Sequence, residues 1–128
     1  MKNEPATVAA VRQANQRFYR TFESLSLPRM RALWLETPTV KCVHPGWEPM
    51  IGFDEVMRSW ERIFANTSYI EFEVAEEIIF VEGDLAVVSN PERLRSAGGG
   101  QSASGAVHAT NVYLRYEGDW LMIVHHAS

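Results

Sequence analysis

Residues 107–128 read VHATNVYLRYEGDWLMIVHHAS. Two runs rich in β-branched and aromatic residues, Val107–Tyr116 and Trp120–Ala127, flank Glu117-Gly118-Asp119, a composition that turns the chain. The stretch therefore predicts a hairpin of long antiparallel strands. The same grammar recurs upstream. Tyr69 to Val81 reads as a long strand, Glu82-Gly83-Asp84 as a turn, and Leu85 to about Arg95 as its partner. Between the two hairpins, Ser96 to Gly105 is rich in glycine and serine and predicts a mobile tip.

The first half has a different period. Val8, Val11, Phe18, Phe22 and Leu25 recur at spacings of three and four, which predicts an amphipathic helix over about 5–25. A short second helix follows, capped by Ser26, with Pro28 in its first turn, running to about Leu35. Thr39 to His44 is a short strand that Pro45-Gly46 breaks. A third helix opens at Gly52-Phe53-Asp54 with Asp54 as its cap. Val56, Met57, Trp60, Ile63 and Phe64 form its buried stripe. Three helices followed by a meander of strands give an α+β class, with the helices packed on one face of a strongly curved, mainly antiparallel sheet.

Composition narrows the role. The chain has 128 residues, enough for one domain spanning 1–128, and a hydrophobic fraction of 46% lets it bury a core without disulfides. Its single cysteine, Cys42, cannot form an internal bridge, and nothing points to an oxidising compartment. The polar Met1–Ala6 stretch does not resemble a signal peptide, and no apolar run approaches membrane length, so a cytoplasmic location is expected. A net charge of −4 argues against nucleic acid as a partner.

The order of elements, with VHPGW (43–47), ATNVYL (109–114) and GDWLMIVHHAS (118–128), resembles the SnoaL-like branch of the nuclear transport factor 2 superfamily, the cystatin-like cone. The likeness covers essentially the whole chain. It implies a conical, commonly apolar cavity between sheet and helices, and a homodimer formed through the outer face of the sheet. It does not imply one activity, because isomerases, cyclases, hydratases, transport factors and association domains share the scaffold.

Alternation sets the candidate site. In the last strand Trp120, Met122, Val124 and His126 share a parity, and the large indole assigns that parity to the interior. His126 then faces the cavity, and His125 the dimer face or solvent. In the preceding strand the apolar parity carries His108 and Thr110 inward, opposite Asn111 and Tyr113. His44 ends its strand at the pocket mouth. Histidine titrates near neutrality, so His44 and His126 are the candidate acid/base pair. Trp34, Trp47, Trp60 and Trp120, with His108 and Thr110, are candidate ligand contacts, Trp47 gating the mouth; each tryptophan also reads as plain core. Adjacent strand residues point apart, so His125-His126 cannot clasp one ion, and neither a metal nor a cofactor is expected.

The ketosteroid-isomerase relatives use an acidic base, a helix-one tyrosine and a protonated strand carboxyl. Here Phe18 falls at the tyrosine position, with Tyr19 one step away, and Val107–Tyr116 has no carboxylate. Among the glutamates, Glu71 and Glu73 share the parity of Tyr69 and meet solvent, while the direction of Glu92 is not decided by its neighbours. Cys42 reads as a buried, inert thiol. Gly98-Gly99-Gly100 lacks the strand–helix context and the lysine of a phosphate loop. Two functions follow: a pocket protein for a small, mostly apolar metabolite with acid/base chemistry of the isomerase or cyclase kind, or a dimerising association module carrying Leu121, Ile123, Tyr113 and Val43 on its outer face.

Overall fold

A computed structural model describes residues 5–128, so most of the Met1–Ala6 stretch lies outside the described residues. Helix α1 (Pro5–Ser24) is followed by α2 (Leu27–Leu33), β1 (Lys41–Val43), β2 (Met50–Ile51) and α3 (Phe53–Ala65). The meander comprises β3 (Tyr69–Val74), β4 (Ile78–Glu82), β5 (Leu85–Gly98), β6 (Gln101–Tyr116) and β7 (Asp119–Ala127). The sheet order is β2-β1-β7-β6-β5-β3, with β4 also on β5, and every pairing is antiparallel except β1 with β7. The expected α+β class is observed.

Local chemistry explains the elements. The Ser26 side chain accepts from the Arg29 amide, with Pro28 in the first turn, as its spacing predicted. The cap of α3 differs. It is Gly52, at φ +94°, while Asp54 and Glu55 occupy the first turn, where their charge meets the positive end of the helix.

The helices bury one aromatic seam against the sheet. Phe18, Phe22, Trp60 and Phe72 are enclosed, with ring centroids 4.6 Å apart for Phe22–Phe72 and 4.7 Å for Phe22–Trp60.

Three sequence expectations need correction. The strand expected over 69–81 is broken at 75–77, where Glu76 has φ +57°. Its halves β3 and β4 pair with the same edge of β5 on either side of Asn90 and Pro91, and Pro91 has no N–H to hold the ladder together there. The tip expected over 96–105 is mostly strand. β5 runs to Gly98 and β6 starts at Gln101, leaving a two-residue turn of Gly99 and Gly100, both at positive φ, a geometry that suits strand twist. Gly98 is required for another reason: a Cβ there would lie 2.0 Å from the Asn66 carbonyl oxygen.

The third correction governs the site. Val112 pairs with Val124 but Tyr113 pairs with Met122, so Ile123 is an extra residue in β7. This β-bulge reverses the parity of everything beyond it. Trp120 and Met122 face the core, and so do His125 and Ala127, whereas His126 is exposed. On β6 the buried set is Ala109, Asn111 and Tyr113, not His108 and Thr110.

Candidate functional site

Alternation along β1 buries Val40, Cys42 and His44 together, as expected. β7 lies parallel beside β1, with Cys42 opposite His125. The two imidazoles thus come within 6.3 Å, centroid to centroid, and Trp60 packs on both, at 4.7 Å from His44 and 5.9 Å from His125. Strand β5 adds Glu92, 2% exposed, from the inward parity Ala86, Val88, Asn90, Glu92 and Leu94.

These three polar residues line a cleft of about 130 Å³ whose other walls include Phe22, Trp47, Ile63, Ile70, Phe72 and Leu94. Larger surface depressions, such as the one beside Glu71, Glu73, Arg93 and Arg95, are shallow and lined by charge.

Of the predicted residues, the structure brings His44 and Trp47 to the cleft and places Trp60 directly behind it. Trp34 and Trp120 are buried core residues away from the cleft lining. His126, His108 and Thr110 lie on the outer face of the sheet, where Thr110 pairs with His126, and His108 bonds Ser89 at 2.7 Å. The bulge at Ile123 turns His126 outward, whereas His108 and Thr110 face out because β6 buries the opposite parity, on which Asn111 and Tyr113 bond Asn15. Tyr113, expected on the outer face, is buried on the inward parity of β6, where its hydroxyl donates to Asn15 Oδ1.

A buried polar network under the cleft was not anticipated from sequence. The Asn15 amide donates to Glu77 Oε2 at 2.7 Å, and Glu77 is also paired with Arg12. A carboxylate only accepts, so this contact fixes Asn15 with Nδ2 toward Glu77 and Oδ1 toward β6. Asn15 Oδ1 then accepts from Tyr113 at 2.8 Å and from Asn111 Nδ2 at 2.9 Å. With its amide nitrogen so committed, Asn111 offers Oδ1 to His125 Nδ1, 2.6 Å away, which must carry the proton. His125 is therefore the Nδ1–H tautomer, and Nε2 is an acceptor with no protein partner.

The Tyr19 hydroxyl holds Glu92. Tyr19 Oη receives N–H bonds from Asn90 at 3.2 Å and Asn111 at 3.1 Å. Its own proton goes to Glu92 Oε2, at 2.5 Å. Glu92 Oε1 has no partner. Ser59 Oγ donates to the Val56 carbonyl, so it can only accept from His44 Nε2, 2.9 Å away. His44 Nδ1 is left with the Cys42 thiol at 4.0 Å.

Among the described residues, the enclosed side-chain N and O atoms lacking a partner are the indole nitrogens of Trp34 and Trp60. Glu92 and His125 both line the cleft.

Burial governs protonation here. It lifts the Glu92 carboxyl from 4.5 to about 7, although the Tyr19 hydrogen bond opposes the rise. Burial also lowers His44 from 6.5 to about 4, and lowers His125 to about 3, with His44 and His126 adding to the latter. Burial first, and then Glu92, pushes the Cys42 thiol well above its ordinary range, which fits the inert thiol expected. Near neutrality the cleft floor thus holds two uncharged imidazoles and one carboxyl poised between its two forms.

The orientation chain predicts that Glu77→Met, which cannot accept, destabilises the fold by about 1–3 kcal/mol. The His125 tautomer should survive, because Asn15 Nδ2 also donates to Asn90 Oδ1 at 3.1 Å and Asn90 is oriented by the Pro91 carbonyl. Mixed Nδ1/Nε2 protonation in ¹⁵N NMR spectra of the variant would show that Glu77 alone orients Asn15.

Residues 11–128 match the SnoaL-like domain family, and the chain belongs to it. The solved structures it resembles include a proposed dehydratase of the nuclear transport factor 2-like family from Streptomyces avermitilis, 36% identical, with a TM-score of 0.91 over 98% of this chain and 97% of that one. Another is a proposed calcium/calmodulin-dependent protein kinase type II association domain from Thiobacillus denitrificans, 32% identical, TM-score 0.76, covering 91% and 92% of the two chains. The F-box protein SKIP8 of Arabidopsis thaliana is 31% identical over 123 residues, 96% of this chain and 51% of that protein. This chain spans about half the length of that curated relative. No helix among the described residues is long and apolar enough to cross a membrane.

Proposed function

We propose that the chain binds a small, mostly apolar metabolite in the cleft and moves a proton within it without a cofactor, as an isomerase, cyclase or dehydratase does. The observation that carries this reading is Glu92: a carboxyl at the floor of an apolar cleft, held by Tyr19 and poised near 7. A base works best when its pKa lies near the working pH, and Glu92 meets that condition whereas His44 and His125 are too acidic as imidazolium ions to hold a proton there. Glu92 takes the proton, and the neutral His125 orients the substrate through Nε2. His126, the base expected from sequence, is replaced in this role. The 36% identity to a proposed dehydratase supports the same class of chemistry.

Small β-hydroxy ketones in D₂O test the proposal, since loss of the proton beside the carbonyl gives either deuterium exchange or elimination to an ultraviolet-absorbing enone. Glu92→Gln is expected to slow the reaction by about 10²–10⁴-fold with the circular dichroism spectrum unchanged. Turnover that survives intact in this variant would remove Glu92 from the chemistry.

A second reading, a homodimeric association module, draws on the outer sheet face. Leu85, Leu114 and Leu121 form one cross-strand row, and Phe80, Val87, Val112 and Val124 the next. Phe80 is 54% and Ile78 70% exposed, an apolar surface of the kind that marks interfaces. The likeness to an association domain points the same way. The two readings are compatible, because cleft and outer face lie on opposite sides of the sheet. A monomer by light scattering at micromolar concentration would remove the second and leave the first.

A further inference from the structure

The hydrogen-bonding character of the cleft floor selects a ligand class. Every donor that faces the floor is already spent: Tyr19 Oη–H on Glu92, His125 Nδ1–H on Asn111, and His44 Nε2–H on Ser59. What remains free on the floor is Glu92 Oε1 and His125 Nε2, both acceptors once Glu92 is ionised, while the wall adds one unspent donor, the Trp47 indole N–H. No lysine or arginine lines the cleft. The nearby guanidinium of Arg62 stacks on the Trp47 ring at 4.7 Å and belongs to an exposed residue outside the lining. An anion entering here would meet a carboxylate and the His125 lone pair between apolar walls, with no cation in the lining to compensate its lost hydration.

Size sets the second limit. A cleft of about 130 Å³ is close to the ~150 Å³ of an apolar cavity that encloses benzene. Phe22, Trp47 and Phe72 supply the aromatic part of its wall.

We infer that the cleft takes an uncharged molecule of about benzene size that donates a hydrogen bond through a hydroxyl group, and that it excludes carboxylates and phosphates. The inference rests on the reading of the cleft as a ligand site, and adds which chemistry the site accepts. The hydroxyl donates to Glu92 Oε1 or His125 Nε2, and the ring fills the aromatic part of the cleft. A site built from acceptors discriminates strongly against an analogue that lacks the donor, because its buried lone pairs are then left unpaired.

Four probes of similar size test this with the whole chain: phenol, anisole, toluene and benzoate. Each is titrated above pH 7 while the imidazole ¹⁵N resonances of His125 and His44 are followed. Phenol is expected to saturate and to move the His125 Nε2 resonance. Anisole and toluene should bind about tenfold or more weakly, the cost of a lost hydrogen bond to buried acceptors. Benzoate should leave both histidines unmoved. Anisole or toluene binding as tightly as phenol would overturn the donor requirement while keeping the cleft as a ligand site. Benzoate binding with a shift at His125 would overturn the exclusion of anions. If none of the four moves either histidine, the reading of the cleft as a ligand site falls, and this inference with it.

Discussion

Acidification from pH 6.5 to pH 3 is expected to cost the fold about 5 kcal/mol, a large part of the 5–15 kcal/mol that holds a domain of this size. The two histidines drive the loss. Their folded values, about 4 for His44 and about 3 for His125, lie below the 6.5 of an open chain. As pH falls below 6.5, the unfolded chain takes up two protons that the native one refuses. Stability therefore drops by about 1.4 kcal/mol per pH unit for each. Glu92 opposes them. Its folded value of about 7 exceeds the ordinary 4.5, so between those limits the native state binds a proton that the unfolded one does not.

Its contribution is fully present below 4.5 and is lost as pH rises through 7. The net difference between 6.5 and 4.5 is one proton, and it widens to two just below 4.5. Urea midpoints measured across this range should trace that curve. His125→Asn keeps a donor toward Asn111 and removes one of the two acid-labile sites, so its stability should be nearly flat from 6.5 to 4.5. A wild-type protein equally stable at pH 6.5 and pH 4 would refute the burial of neutral imidazoles beside Trp60.

Trp60→Ala is expected to destabilise by about 3–5 kcal/mol, the usual cost of emptying a large enclosed aromatic site. The indole is fully buried and touches the rings of Phe18, Phe22, His44, Phe64 and His125, all with centroids within 6 Å. Four of these partners are fixed by other elements and cannot all collapse into the void. Trp60→Phe makes the contrast. The indole N–H has no acceptor, so replacing it leaves no group newly unpaired, and the loss should stay near 1–2 kcal/mol. Guanidinium denaturation of both variants checks the pair. An alanine variant within 1 kcal/mol of wild type would mean that Trp60 is not the keystone between α3 and the histidines.

Much of the site was legible in principle. Asn15 and Tyr19 stand four apart on α1, on the same side as Val11, Phe18 and Phe22, which marks polar groups turned toward a core. On β5, Arg93 and Arg95 occupy one parity, so Glu92 shares the other with Leu94. Each hint needs a partner to become chemistry. Tyr19 and Glu92 are 73 positions apart, and only the packing of α1 on the sheet makes them a bonded pair.

Periodicity alone determined the class: three helices, a meander, a short strand ending in His44, and turns at 82–84 and 117–119. These features depend on the burial of residues close in sequence, so a window of a few turns contains all the information. The choice between His125 and His126 depends on how many residues β7 commits to each rung of β6. An extra residue at Ile123 violates no local rule, since either parity of Leu-Met-Ile-Val is apolar. Cross-strand pairing decided it, by joining Val112 to Val124 and Tyr113 to Met122, and that single slip exchanged the outward histidine for the inward one.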